Sequence, residues 1–361
     1  MRTKIANNGS DTMTPTPVNR AHPVIELPAS THRVQATTAT QAGTSLNPWG
    51  IAIDSEHGFV WVAEPGCEPL PKCQTAFPGI IGKYSLADGS FIEDMKEPAG
   101  YSSPLFAAVD PNGHIWFTQP TSDAIGELDP QHKIWHQWPV SKNSSPYDLL
   151  FDKRGNIWFT EMGGNHIGFF NPTTHKLVET PIPTTNSNPY GITMDPQGNI
   201  WFTENREGVS QIGSFTPTES GTISISEHPA GVKQPHLITA DKAGNIWYSA
   251  AFAGQIGEFI PSSNTNTIYT VTGNICPNPL ACYNTHISGI AADAKGNIWF
   301  TDSLSARVGY LIPASGAIKT ITVPRKDAHP HDGLAVDKYN TVWFTEQNEF
   351  ELVMWPDGTL K

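Results

Sequence analysis

Four histidines and an aspartate break the pattern of the chain around them: His236, His286, His329, His331 and Asp332. Histidine titrates nearest to neutral pH, so it takes up and returns protons under working conditions, and its neutral ring binds metals. A carboxylate beside such a group shifts its proton affinity or completes a ligand set. Two of the histidines flank a proline in His329-Pro330-His331, and Asp332 follows directly. A lone histidine is ordinary packing. Several at one place point to catalysis or to a metal, and the residue types leave both open.

The element that must bring them together is a hairpin repeated along the chain. Its clearest copy runs from Asn188 to Glu204. An apolar strand leads into the turn Asp195-Pro196-Gln197-Gly198, and Asn199 to Glu204 returns. In the turn, Asp caps with its side chain, Pro presets φ, and Gly accepts the left-handed conformation that closes a type I turn with a bulge. The same pattern recurs with its tryptophan at Trp61, Trp116, Trp158, Trp201, Trp247, Trp299 and Trp343. Copies lie roughly 40 to 55 residues apart, the period of propeller blades. A third strand with Ile-Gly or Val-Gly follows, as at Ile167-Gly168 and Val308-Gly309, and then a fourth. The chain therefore reads as an all-β, seven-bladed β-propeller of four-stranded antiparallel blades, with repeats starting near 47, 103, 145, 188, 234, 285 and 329.

Residues 1–22, rich in Ser, Thr, Asn and Pro, read as a disordered N-terminal segment, and 23–361 as a single propeller domain. The last repeat runs out before a fourth strand. Val24-Ile25-Glu26-Leu27 resembles the fourth strands elsewhere, so the last blade is expected to be closed by this N-terminal strand. A second candidate lies at Arg33 to Thr37. Closure of that kind would remove exposed sheet edges.

In such a blade the first strand starts at the face to which the second returns. One rim therefore collects Trp49, Leu105, Tyr147, Tyr190 and His236, together with a ring of Glu64, Gln119, Glu161, Glu204, Ala250, Asp302 and Glu346. The ring acids are expected to bond the backbone where the adjacent blade opens, one structural job repeated. Departures from the repeat carry more about function, because stacking does not require them. They fall in blades five, six and seven, which bring the four histidines and Asp332 to one arc of this rim. Blade seven also carries one extra residue between its opening proline and Asp337.

The formal charge of -12 excludes a nucleic-acid partner, which needs basic surface. No apolar run approaches the ~18 residues of a membrane span. A monomer with a small-molecule or cyclic-peptide ligand is the expectation. The four cysteines fall as two close pairs, Cys67/Cys73 and Cys276/Cys282. Two loop disulfides are the favoured reading and would place the protein in an extracellular or periplasmic compartment, with a structural zinc site as the alternative. The start of the chain shows no apolar core of an export signal, which argues for the cytoplasm unless a leader is missing.

The repeated Pro-Tyr-Gly-Ile-Thr, Gly-Asn-Ile-Trp-Phe-Thr-Glu and Ile-Gly pattern, from Asn47 onward, resembles the virginiamycin B lyase (streptogramin B lyase) family. That resemblance implies a seven-bladed propeller that opens cyclic depsipeptides by β-elimination, with magnesium polarising a carbonyl and a histidine of the last blade removing the α-proton. It assigns His331 as general base and His286 as the histidine one blade earlier, with His236 as the other candidate to contact substrate. The family's two metal glutamates correspond to His329 and Gln347. His329, Asp332 and Glu346 would then hold a divalent cation, and such a set suits a transition metal better than magnesium. Two rivals stay open. One is a non-catalytic module binding a peptide or glycan on the same rim through Trp49, Tyr147 and Tyr190. The other is a metal-dependent lactone hydrolase.

Overall fold

The computed structural model describes residues 18–21, 24–26, 35–38, 47–66, 78–271, 285–323, 328–348 and 351–355. They form seven sheets, antiparallel throughout except for one added parallel strand on each of blades five and six. Blade four shows the plan, with strands Pro189–Met194, Ile200–Glu204, Gln211–Phe215 and Ser226–Pro229 paired in chain order.

The hairpin turn is built by one carboxylate. Asp195 Oδ1 accepts from the Asn199 backbone N–H at 2.8 Å, and Oδ2 accepts from Asn199 Nδ2 and from Trp201 Nε1 at 3.0 Å. Gly198 sits at φ +94°, a conformation open to glycine without strain. Asp152, Asp241, Asp293 and Asp337 hold Trp158, Trp247, Trp299 and Trp343 in the same way. The turn thus satisfies the indole N–H, which frees the ring for burial.

That ring then packs across to the next blade. Trp158 clusters with Ile192, Ile200 and Phe202 of blade four, and Trp299 with Val342 and Phe344 of blade seven. Trp343 of blade seven meets Val60 and Val62 of blade one, and so side-chain packing closes the ring. A second device repeats beside it. In blades two, three and six the hydroxyl one residue before the ring position donates to the backbone carbonyl of the next blade's opening residue: Thr118 to Tyr147, Thr160 to Tyr190 and Thr301 to His331, each at 2.6 Å. Thr345 does the same to Trp49 at 3.0 Å. These hydroxyls link one blade to the next by donating to carbonyls, a bond that an ionised ring acid cannot make. Asp302, the acid whose bonds are clearest, serves its own blade by accepting from Thr285 Oγ1 and His286 N.

Three expectations are corrected. No sheet is closed on itself by hydrogen bonds, and Val24–Glu26 does not complete the last blade. That segment runs parallel to Ala317–Thr322 as a fifth strand of blade six, and the strand lying against Glu351–Trp355 is Gln35–Thr38. Val-Ile-Glu is the more apolar of the two and Gln-Ala-Thr-Thr the more polar, so the pairing runs against what local propensity alone would favour. Val18–Ala21, within the stretch expected to lack structure, pairs in parallel with Thr267–Thr270 of blade five. The disulfide reading has no support among the described residues: Cys67, Cys73, Cys276 and Cys282 all lie outside them. The extracellular or periplasmic placement rested on those pairs and is withdrawn with them. Among the described residues no helix is long and apolar enough to cross a membrane.

Candidate active site

The opening residues converge near the axis, where Trp49, Leu105 and Tyr147 form one buried cluster with Phe106 and Tyr190 packed on it. The inner strands of blades three to six leave two residues between their first bridge and the resumed ladder, as between Pro146 and Leu149. Blade seven leaves three, between Pro330 and Leu334. Thr301 bonds the carbonyl of His331, so His331 holds the ordinary opening position. Gly333 holds the glycine position of the bulge: a Cβ there would lie 2.0 Å from the Trp49 carbonyl oxygen. Asp332 is therefore the inserted residue, pushed inward by a bulge, a common way to re-aim a side chain beside a site.

Its carboxylate ties three blades together. Tyr147 donates to Oδ2 at 3.0 Å, and His236 Nε2 approaches Oδ1 at 3.1 Å. His331 Nδ1 lies 3.2 Å from the same Oδ1, an ion-pair distance whose angle is not that of a hydrogen bond. Tyr190 bonds the Tyr147 hydroxyl and stacks on His236 with ring centroids 4.3 Å apart. Burial alone would raise the Asp332 carboxyl, but the charges of His331 and His236 and the hydrogen bond with His236 outweigh it and hold the group well below its ordinary range. Burial pushes the Tyr147 phenol upward, reinforced by Tyr190 and Asp332, so it remains a donor.

The histidines form one stack. His331 lies between His286 and His329, with centroids 5.0 and 5.3 Å away and interplanar angles of 23° and 15°. Trp49 flanks the same ring at 5.0 Å. His286 enters one position before its strand, and Ser288 occupies the bulge position that His236 holds in blade five. Ser303 Oγ meets His286 Nδ1 at 3.0 Å. Burial, followed by the charges of His236 and His331, lowers the His286 imidazole to about 2, so it is neutral at working pH. The His331 side chain keeps 12% of its surface exposed, whereas Asp332 has none. Trp49 and Tyr147, expected to contact ligand, are buried at 3% exposure and form the floor of the site.

The metal set was expected at His329, Asp332 and Glu346. Among the described residues these are not a group with ligand atoms in mutual reach. Such a group does occur elsewhere: Asp110, His114 and Glu127 each offer an atom within 4.8 Å of the others. It lies at the hairpin-turn end of blade two, away from the opening residues. At the rim, magnesium would need oxygen donors in near-octahedral array. The positions that correspond to the family's ligands hold an imidazole, His329, and an amide, Gln347, whose buried Nε2 has no hydrogen-bond partner. Asp332 already has both oxygens engaged. These residues do not fit magnesium.

Ser303 and Asn205 were missed from sequence. Asn205 Nδ2 donates to the Pro235 carbonyl at 3.1 Å and reaches His236 Nδ1 at 3.3 Å. No motif marks either residue; each follows its ring acid directly, and that position is the only signal.

The profile of the virginiamycin B lyase family matches residues 77–272, more than half of the chain. The chain belongs to the virginiamycin B lyase family. A search of curated proteins finds no match. Among solved structures, selenomethionine-substituted virginiamycin B lyase from Staphylococcus aureus is 25% identical. The match covers 90% of this chain and 99% of that one, with a TM-score of 0.72. A catalytically inactive histidine-to-alanine variant of that enzyme, solved with quinupristin, matches with the same figures. A streptogramin B lyase is 23% identical over 89% of this chain and 97% of that one, with a TM-score of 0.71, and shows the shared fold. Membership brings an enzyme family of this propeller, while the rim carries its own variation on the family's residues.

Proposed function

We propose that this protein is a carbon–oxygen lyase that opens a cyclic depsipeptide or related lactone by β-elimination, with His331 as general base. The observation that carries the reading is the buried His331–Asp332 pair at the inserted position of blade seven. Asp332 faces Nδ1 and stabilises the imidazolium that forms, which leaves Nε2 to take the proton. The proton comes from the carbon α to an acyl carbonyl whose β-carbon bears the ester oxygen. The C–H electron pair becomes the Cα–Cβ double bond, the Cβ–O bond breaks, and the oxygen departs as a carboxylate. His286 is neutral. In this reading Ser303 Oγ donates to Nδ1, so the ring's proton sits on Nε2, which donates to the carbonyl oxygen as charge develops there. The quinupristin-bound relative supports a depsipeptide as the first substrate to try. No step is routed through magnesium, since the rim residues do not suit it.

The test is mass spectrometry of a streptogramin B depsipeptide incubated with the protein. A linear product of unchanged mass with a new double bond is expected, and His331→Gln should lower its formation by at least about 100-fold while the melting temperature holds. A product heavier by one water would mean hydrolysis and end the elimination reading.

A further inference from the structure

Where blades three, four and five meet, the rim opens into a polar cavity of about 410 Å³, within the range of small-molecule sites. Its walls are mostly polar: the amides of Asn165, Asn186, Asn188, Asn205 and Gln234 and the guanidinium of Arg206, with Met162, Gly163 and the carboxylate of Glu207 completing the lining. The walls are fixed in place. Asn205 N donates to the Asn188 carbonyl at 3.0 Å, and Arg206 N donates to that of Ser187 at 3.1 Å. Asn165 ties the Ser187 loop with its side-chain oxygen and the strand end with its amide, donating to the Thr184 carbonyl at 3.0 Å. Asn165, Asn186, Asn188 and Gln234 all hold left-handed backbone, with φ between 49° and 59°. Asn188 and Gln234 share that conformation with Asn47, Ser103 and Ser145, the residues before the opening prolines of other blades, so there it belongs to the repeat.

Two features of this cavity call for a ligand of definite chemistry. Arg206 gives one guanidinium N–H to the Asn186 carbonyl at 3.3 Å and makes no ion pair among the described residues, in a chain of net charge -12. A fork of that kind matches a carboxylate. The amides of Asn186, Asn188 and Gln234 make no side-chain hydrogen bonds within the described residues. They present donors and acceptors together, the complement of a peptide backbone. Asn205 joins the cavity to the chemistry. Its Nδ2 must donate to the Pro235 carbonyl, so His236 Nδ1 is the acceptor and His236 Nε2 carries the proton that faces Asp332. One connected path therefore runs from the cavity wall through His236 to Asp332 and His331.

We infer that this cavity is a recognition subsite for a short peptide segment ending in a free carboxylate, held by Arg206 and the rim amides and linked to the catalytic histidines through Asn205 and His236. As the substrate-side complement of the proposed lyase it rests on that reading, but its occupancy is measurable without turnover. The experiment is ligand-observed saturation-transfer NMR on the full-length protein, with N-acetyl-trialanine as probe. N-acetyl-trialanine amide and maltotriose are the comparison probes. Saturable binding of the free acid is expected, weakened about tenfold by amidation, by Arg206→Gln, and by Asn188→Ala with Gln234→Ala. His331→Gln should leave it unchanged. Binding that ignores the Arg206 and amide variants, preference for maltotriose, or no saturable signal for the peptide would overturn the subsite. Retained peptide binding in a protein that eliminates no depsipeptide would instead count against the lyase reading and leave the subsite standing.

Discussion

A carboxylate without solvent access is tolerated only where partners surround it, and Asp332 has hydrogen-bond partners in blades three and five and the His331 imidazole at ion-pair distance in its own blade. Its insertion therefore does two things: it fills the axial channel with a fixed negative charge, and it places that charge against the proposed base. Asp332→Asn preserves size and removes the charge, so elimination should fall by about 100-fold or more with the fold retained; steady-state kinetics beside a thermal melt would check this. The two titrations of the site pull stability in defined directions. Asp332 is held below its ordinary value, so its contribution is present above about pH 3.9 and lost only in stronger acid. His286 is held neutral, so its contribution is present above about pH 6.5 and declines as pH falls from there. The insertion itself could be counted in the sequence, but its meaning could not. Asp332 meets Tyr147 and His236 across the axis, over separations of 185 and 96 residues that no local pattern encodes.

At the scale of the element, the hairpin was legible almost in full. Asp, Gly, Asn and Trp at fixed offsets each have one local job, and local jobs leave local signatures. The ring acids were less legible because their partners belong to other strands. Burial raises Glu64, Glu161 and Glu204 to about 8, with the charges of Asp94, Glu179 and Glu227 adding to it. A carboxyl raised in the fold is stabilising while protonated. Stability from these groups is complete below the unfolded value near 4.3 and is lost as pH rises toward 8. The melting temperature should therefore drop by several degrees from pH 5 to pH 8, and Glu161→Gln with Glu204→Gln should flatten that slope. A wild-type melt that rises over the same interval would show that the acids do not dominate. Because the Thr clamps hold the ring independently of the acids, the double variant should keep its fold.

For the molecule as a whole, the seven-fold repeat specified the architecture, while the identity of the last outer strand was left to pairing. Gln35–Thr38 and Val24–Glu26 are both short and strand-like, and pairing rather than local propensity places each on its blade. Together with Val18–Ala21 they lay three outer strands on blades five, six and seven, the same three that carry the histidines. Deleting residues 1–38 would leave blade seven with a bare edge along Glu351–Trp355. The truncated protein should melt several degrees lower and aggregate sooner on heating, measurable by calorimetry and light scattering. An unchanged melt would show that the outer strands add nothing to the ring.

The pairing of Thr38 with Glu351 also imposes a timetable. These residues leave the ribosome at opposite stages of synthesis, and at roughly 5 to 20 residues per second the first waits about 15 to 60 s for the second. Meanwhile six blades can assemble, but the seventh cannot, and Trp343 has yet to reach Val60. The histidine stack, which needs blades five, six and seven in register, is thus among the last features a nascent chain acquires. A ribosome-bound intermediate should hold a formed blade four while its reactive rim is still unmade.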